Sequence, residues 1–149
     1  MTLEIRESLQ ALLDSSDEDK LEYGNDGYCD FIVYLSAEEY NIDLIIRDIT
    51  KLFVSADKKC GRSEYLYFNE VTNEKMAVID FYKMTNNGSD PKFQEDVFCF
   101  LATLPKGALE GALKYAAGLI ACDNLITTNE LKLYDRLICI YENVKGDED

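Results

Sequence analysis

The chain of 149 residues contains no histidine, no tryptophan and only two prolines. The absence of histidine removes every Ser–His and Cys–His nucleophile arrangement, and it also removes the usual partners of cysteine in a zinc site. We therefore predict that the protein is not an enzyme. A carboxylate-based enzyme is the remaining catalytic alternative, and neither a glycine-rich phosphate loop nor an activated nucleophile supports it.

Long hydrophobic runs and basic residues are scarce as well. No apolar stretch approaches the ~18 residues of a membrane span, and no basic region followed by an apolar run begins the chain. We therefore expect neither a membrane span nor a signal peptide. The 29 acidic residues outnumber the 15 basic ones, which gives a net charge of −14. This balance opposes direct binding to nucleic-acid phosphates and favours solubility, cation binding or a basic protein partner.

Cysteine is present, but not in a pattern that suggests disulfides. The five cysteines are odd in number and widely spaced. This pattern predicts free thiols in a reducing, cytoplasmic environment. The hydrophobic content of 47% fits a globular protein, and the length is that of one domain with a full core.

Apolar residues recur at helical spacing through most of the chain, with little strand-like alternation. This pattern predicts an all-α, single-domain bundle of about six or seven helices. The strongest amphipathic helix runs over residues 41–56, and Ser36 with Glu39 predicts a capping box ahead of it. A helix from about Lys106 is rich in glycine and alanine, so we expect it to run through the domain centre beside a closely packed neighbour.

The N-terminal part of the sequence differs in composition from the rest. It predicts a helix over residues 2–13 and then a solvated linker over 14–26, which holds six acids and one lysine. We therefore divide the chain into an N-terminal helix with an acidic linker at 1–35, a helical domain at 36–145, and an acidic tail at 146–149.

One acidic pattern occurs twice. Asp57 and Glu64 recur as Asp123 and Glu130, offset by 66 positions. Each Asp follows an apolar run, and each Glu lies in the predicted first turn of the next helix, which describes a helical hairpin with a tight loop. Two such hairpins would cover each other's apolar faces. The four acids are either capping and turn residues or ligands of a hard divalent cation, Ca²⁺ or Mg²⁺, completed from elsewhere in the fold.

The second copy, "GLIACDNLITTNELKLYDRL", resembles the helix–Asp–loop–Glu–helix segment of the tellurite-resistance TerB family, and the first copy at Leu52–Glu64 also fits. The resemblance covers residues 42–68 and 108–141. The usual glycine after each Asp is Lys58 in one copy and Asn124 in the other. The resemblance implies a TerB-like, all-helical, non-enzymatic domain that is tied to stress-response or membrane-associated complexes and is proposed to bind metal. Peripheral membrane association would follow from it.

Carried over residue by residue, the resemblance makes Asp123 and Glu130 the better metal candidates and Asp57 and Glu64 the weaker ones. The second copy has a predicted capping box, Thr127 with Glu130, and no cation inside its loop. The first copy carries three cations beside its acids: Lys58, Lys59 and Arg62.

Two functions compete on these observations. One is an acidic binding module that senses a cation and acts as a scaffold in a stress-response complex. The other is an acidic inhibitor or decoy that occupies a basic site on a protein partner. A decoy needs an acidic stripe on an exposed face, whereas the first function is placed at the two loops. Four tyrosines next to the acidic segment form either an interface or the edge of the core: Tyr23, Tyr28, Tyr34 and Tyr40.

Overall fold

The computed structural model describes residues 9–36, 40–57, 61–122 and 126–144. All regular structure in these ranges is helical, so the all-α prediction is confirmed. No helix in the same ranges is both long and apolar enough to cross a membrane. The elements are α1 (described over 9–13), α2 (Asp17–Leu35), α3 (Ile42–Val54), a 3₁₀ turn (Ser55–Asp57), α4 (Arg62–Thr72), α5 (Val78–Thr85), α6 (Pro91–Leu101), α7 (Lys106–Ala121) and α8 (Thr128–Asn143).

The predicted acidic linker at 14–26 is wrong, because most of it belongs to the 19-residue helix α2. The Ser16 side chain caps this helix by accepting a hydrogen bond from the Asp19 amide at 3.1 Å. The acids of the first turn lie at the positive end of the helix dipole, where they stabilise the helix. One face is buried at spacings of three and four residues: Lys20, Gly24, Gly27, Phe31 and Leu35.

Helix α7 occupies the centre of the bundle, as its glycine and alanine content predicts. Twelve of its 16 residues are buried, and its main neighbour is α2. A Cβ atom added to Gly111 would lie 2.5 Å from the Gly27 carbonyl oxygen and 2.8 Å from the Phe31 amide nitrogen. The two backbones therefore touch directly. About one turn away along α2 and two turns away along α7, the ring of Tyr67 covers Gly24 and Gly118, and a methyl group on either glycine would overlap it.

Tyrosines supply the polar contacts inside this core. Thr50 Oγ1 donates to the Ile46 carbonyl at 2.7 Å, so the Tyr115 hydroxyl, 2.7 Å from the same Oγ1, is the donor to Thr50. The Tyr67 hydroxyl donates to the Tyr115 carbonyl at 2.7 Å. Burial raises the pKa of three hydroxyls well above the ordinary tyrosine value, and we call their owners the core tyrosines: Tyr67, Tyr115 and Tyr134.

The predicted helices at 41–56 and from about Lys106 are both present and both buried in the core. The predicted capping box of Ser36 and Glu39 is wrong for α3, because Ser36 instead ends α2 and Glu39 lies outside the described residues. The Asn41 side chain caps α3 and accepts from the Leu44 amide at 3.2 Å. Asn41 stands directly before the first helical residue, which is where a capping oxygen reaches the free amides.

Candidate functional site

The repeated acids are only partly described. Asp57 ends the 3₁₀ turn after α3, but its side chain lies outside what the structure describes, as does all of Asp123. Within the described ranges no three or more acidic or cysteine side chains come together as metal ligands. The cation-binding hypothesis therefore stays a prediction.

Glu64 and Glu130 take equivalent places at the starts of α4 and α8. Glu64 Oε1 accepts from the Gly61 amide at 3.0 Å, and Glu130 Oε1 accepts from the Thr127 amide at 2.9 Å. The Glu130 amide donates back to Thr127 Oγ1 at 3.1 Å, which completes the predicted second capping box. Both glutamates are buried, at 6% and 5% exposure. The capping interpretation is thus confirmed for these two residues.

The two hairpins meet at their loop ends. The Asn129 side-chain amide at the start of α8 donates to the Ala56 carbonyl, 3.0 Å away and 73 residues earlier in the chain. This bond satisfies a carbonyl that the end of α3 leaves without a helical partner. This hydrogen bond links the 3₁₀ turn after α3 to the start of α8.

An acidic row runs along the solvent side of α2. Glu18, Glu22, Asp26 and Asp30 recur every fourth residue, away from the buried face of the helix. The first three are exposed and the fourth is half-buried. At a rise of 1.5 Å per residue the row is about 18 Å long. Among the described residues, Lys114 forms an ion pair with the row, and its Nζ lies 3.6 Å from Asp30 Oδ2.

A groove of about 230 Å³ lies between α3 and α6, and we call it the α3–α6 groove. Its floor consists of buried aliphatic side chains, and its rims consist of the partly exposed Leu44 and Phe100, at 54% and 39%. The ring of Tyr40 packs edge-on against Phe100 with 6.3 Å between centroids. The floor residues are Ile45, Ile49, Val97 and Leu101.

Two carboxylates enter this apolar surface, Asp48 from α3 and Asp96 from α6. Asp48 is half-buried and makes no hydrogen bond or ion pair with the described part of the chain. Burial raises the pKa of the Asp48 carboxyl, and Lys51 opposes this rise only in part. The Lys51 ammonium instead lies over the Phe93 ring, 4.4 Å from its centroid.

A second hollow, of about 270 Å³, lies between α2 and α4. Its buried cation is Lys20, whose Nζ lies 4.0 Å from Asp17 in the same helix. Asp17 and Glu70 share the lining with Lys20. Because carboxylates stand beside this lysine, the hollow does not present a net positive charge to a ligand.

Comparison of the chain with protein-family models, with curated proteins and with solved structures finds no match. The TerB resemblance therefore stays a prediction that depends on two short segments.

Sequence reasoning missed the acidic row of α2 and the place of Asp48 in the α3–α6 groove. The acidic row was missed because the composition of residues 14–26 is typical of a linker. The four-residue spacing of its acids is nevertheless a helical signal. Asp48 stands between Arg47 and Ile49, so its position in the sequence carried no signal of its partly buried environment.

Of the four tyrosines near the acidic segment, Tyr23, Tyr28 and Tyr40 pack against the edge of the core. Tyr34 is 47% exposed, and its place in an interface stays a prediction.

Proposed function

We propose that this chain is a non-enzymatic, acidic helical binding module that occupies a basic site on a protein partner. The observation that carries this proposal is the acidic row of α2. A stripe of negative charge on an exposed helix face is the feature that an acidic inhibitor or decoy needs. It lies on one rigid helix, so the carboxylates are presented together at fixed spacing.

The row has an energetic cost to the folded protein. Like charges four residues apart on a helix destabilise it by roughly 0.2–0.5 kcal/mol a pair, so the three pairs of the row cost on the order of 1 kcal/mol. Lys114 offsets only the last member, Asp30. A partner that supplies lysine and arginine side chains removes this repulsion, and charge complementarity also accelerates the encounter of the two proteins.

A TerB-like role as a cation-sensing scaffold in a stress-response complex is the second candidate. The repeat of Asp57 and Glu64 as Asp123 and Glu130 favours it. Against a dedicated metal site, Glu64 and Glu130 each commit one carboxylate oxygen to a helix cap. A cation would have to share these glutamates with the caps or bind through the aspartates.

The test is capture of partners from native cell extract by the immobilised protein, with chemical cross-linking and mass-spectrometric identification. The row variant is Glu18→Gln with Glu22→Gln and Asp26→Asn. The matched control neutralises three exposed acids on three other helices: Asp43→Asn, Asp80→Asn and Glu110→Gln. Both triple variants change the net charge from −14 to −11, so they differ only in where charge is lost.

We expect the wild type and the control variant to retain the same basic partner, and the row variant to lose it. Retention should weaken as salt rises, because exposed charges are screened over about 10 Å at 0.1 M ionic strength. Equal loss in both triple variants would show that net charge alone causes binding. Full retention by the row variant would contradict the proposal.

A further inference from the structure

We propose that the α3–α6 groove is a docking site for an amphipathic helical segment of a partner protein, which inserts one apolar side chain and places an arginine or lysine next to Asp48. The inference depends on the proposed function in that the occupant is part of a basic protein. The groove contains none of the residues of the acidic row, so an experiment can contradict the docking site without contradicting the proposed function.

The size and lining of the groove favour a side chain as its occupant. About 230 Å³ is below the range of roughly 300–1,000 Å³ that is typical of small-molecule sites. The floor is aliphatic and buried, while Leu44 and Phe100 at the rims keep much of their apolar surface in water. An inserted Leu, Met or Phe would cover those rims and remove their apolar surface from water, which favours binding. Anchors of this kind are the usual contacts of an amphipathic helix in a groove.

The charges of the groove indicate that the occupant carries a cationic side chain beside its apolar one. Asp48 has lost part of its hydration to the apolar surroundings and receives neither a hydrogen bond nor an ion pair from the described residues in return. Asp96 adds a second negative charge from the facing helix. Among the described residues that line the groove there is no lysine or arginine, and the neighbouring Lys51 ammonium is held over the Phe93 ring. A guanidinium or ammonium group from the occupant would supply the interaction that Asp48 lacks.

The same charges argue against other occupants. Anionic lipid headgroups would be repelled by the two carboxylates and by the net charge of −14. A second copy of this chain carries the same net charge, so self-association through the groove would bring like charges together. A basic amphipathic helix satisfies both the apolar rims and the carboxylates.

The test uses three acetylated 14-residue helical peptides as probes: one of leucine and arginine, one of leucine and glutamine, and one of arginine and glutamine. Each is titrated to 1 mM into ¹⁵N-labelled protein, and the amide shifts are mapped. The protein variants are Asp48→Asn and Leu44→Ser. Their matched controls on α5 are Asp80→Asn and Ile79→Ser, which change an exposed acid and an apolar side chain that is 60% exposed.

We expect the leucine–arginine peptide to shift amides of α3 and α6, and Asp48→Asn and Leu44→Ser each to weaken its binding about fivefold. The α5 controls should bind as the wild type does. Both groove positions are partly exposed, so neither variant should unfold the protein; a melting curve checks this.

Several results would overturn the inference. Equal binding of the leucine–glutamine peptide would show that no cation is needed, and no shift on α3 or α6 with any peptide would show that the groove is not a docking site. A wild-type dimer at 100 µM that Leu44→Ser converts to monomer would identify a second copy as the occupant. Binding to phosphatidylglycerol vesicles that Leu44→Ser abolishes would identify lipid. If partner capture depends on the acidic row but not on Asp48, the proposed function stands without the groove.

Discussion

Replacement of Gly111 by alanine is expected to lower the free energy of unfolding by about 1–3 kcal/mol, although alanine is the better helix former. Helix propensity alone would favour alanine by about 1 kcal/mol. Against this gain, the new Cβ atom would lie 2.5 Å from the Gly27 carbonyl oxygen and 2.8 Å from the Phe31 amide nitrogen. Both atoms belong to the backbone of α2, so no side-chain rotation relieves the overlap. The helices must separate, and contacts along their whole length are loosened.

The matched control is Gly107→Ala, in the first turn of the same helix. The three atoms nearest to a methyl group there all belong to the ring of Tyr34, which is 47% exposed, so we expect this ring to rotate into solvent. We therefore expect Gly107→Ala to be neutral or to stabilise the protein by up to about 1 kcal/mol. Urea unfolding followed by far-UV circular dichroism measures both variants, and equal slopes against denaturant would show that the unfolded states are comparable.

The reasoning would be refuted if Gly111→Ala were as stable as the wild type, because the close approach of α2 and α7 would then tolerate a methyl group. It would also be refuted if Gly107→Ala lost as much stability as Gly111→Ala. In that case α7 would be destabilised by any glycine-to-alanine substitution, and the loss would not measure the contact between the backbones of α2 and α7.

Three further predictions concern buried polar groups and the repeated acids. Thr50→Val should lower the free energy of unfolding in urea by about 1–3 kcal/mol, because it leaves the buried Tyr115 hydroxyl without an acceptor. Tyr115→Phe should lower it by only about 1 kcal/mol, because Thr50 stays bonded to the Ile46 carbonyl of its own helix. A larger loss for Tyr115→Phe than for Thr50→Val would contradict the assignment of Tyr115 as the donor. The core tyrosines have folded-state pKa values above the unfolded value of about 10, so stability should be lost as pH rises above about 10. Tyrosinate absorbance at 295 nm should then rise together with loss of circular dichroism, and ionisation of all tyrosines in a folded protein would count against it. Finally, any stabilisation by millimolar Ca²⁺ or Mg²⁺ beyond Na⁺ of equal ionic strength should vanish in Asp123→Asn with Glu130→Gln. It would amount to roughly 2.7 kcal/mol at a hundredfold excess over Kd, whereas equal melting shifts with Na⁺ would leave the acids as caps and turns alone.

Sequence reasoning predicted the parts of the fold in which one local signal dominates. The stripe of α3 and the small residues of α7 were sufficient to place both helices in the core. Thr127 and Glu130 form the predicted capping box, because that signal depends on residues only three positions apart.

The N-terminal part of helix α2, which was predicted to be a linker, was missed for a physical reason. Gly24 and Gly27 weaken a helix locally and are typical of loops, and their stabilising role exists only when α7 and Tyr67 pack against them. The α3–α6 groove could not be predicted either, because it is formed by two helices whose relative position no local pattern specifies. The surface features on which the proposals depend thus arise from tertiary packing.

The contacts of α2 with α7 fix how far α2 can slide or turn. Gly27 meets Gly111 at one point, and Gly24 and Gly118 share the Tyr67 ring at another, so the helices run antiparallel and are held at two places. A slide by about one turn would push the Phe31 side chain against the Gly111 backbone, where there is no room for it. The register of α2 against α7 is therefore fixed because shifted registers would produce steric overlap. The same overlaps fix the rotation of α2 about its own axis. The direction in which the helix presents its carboxylates is thereby determined by glycines on its opposite side.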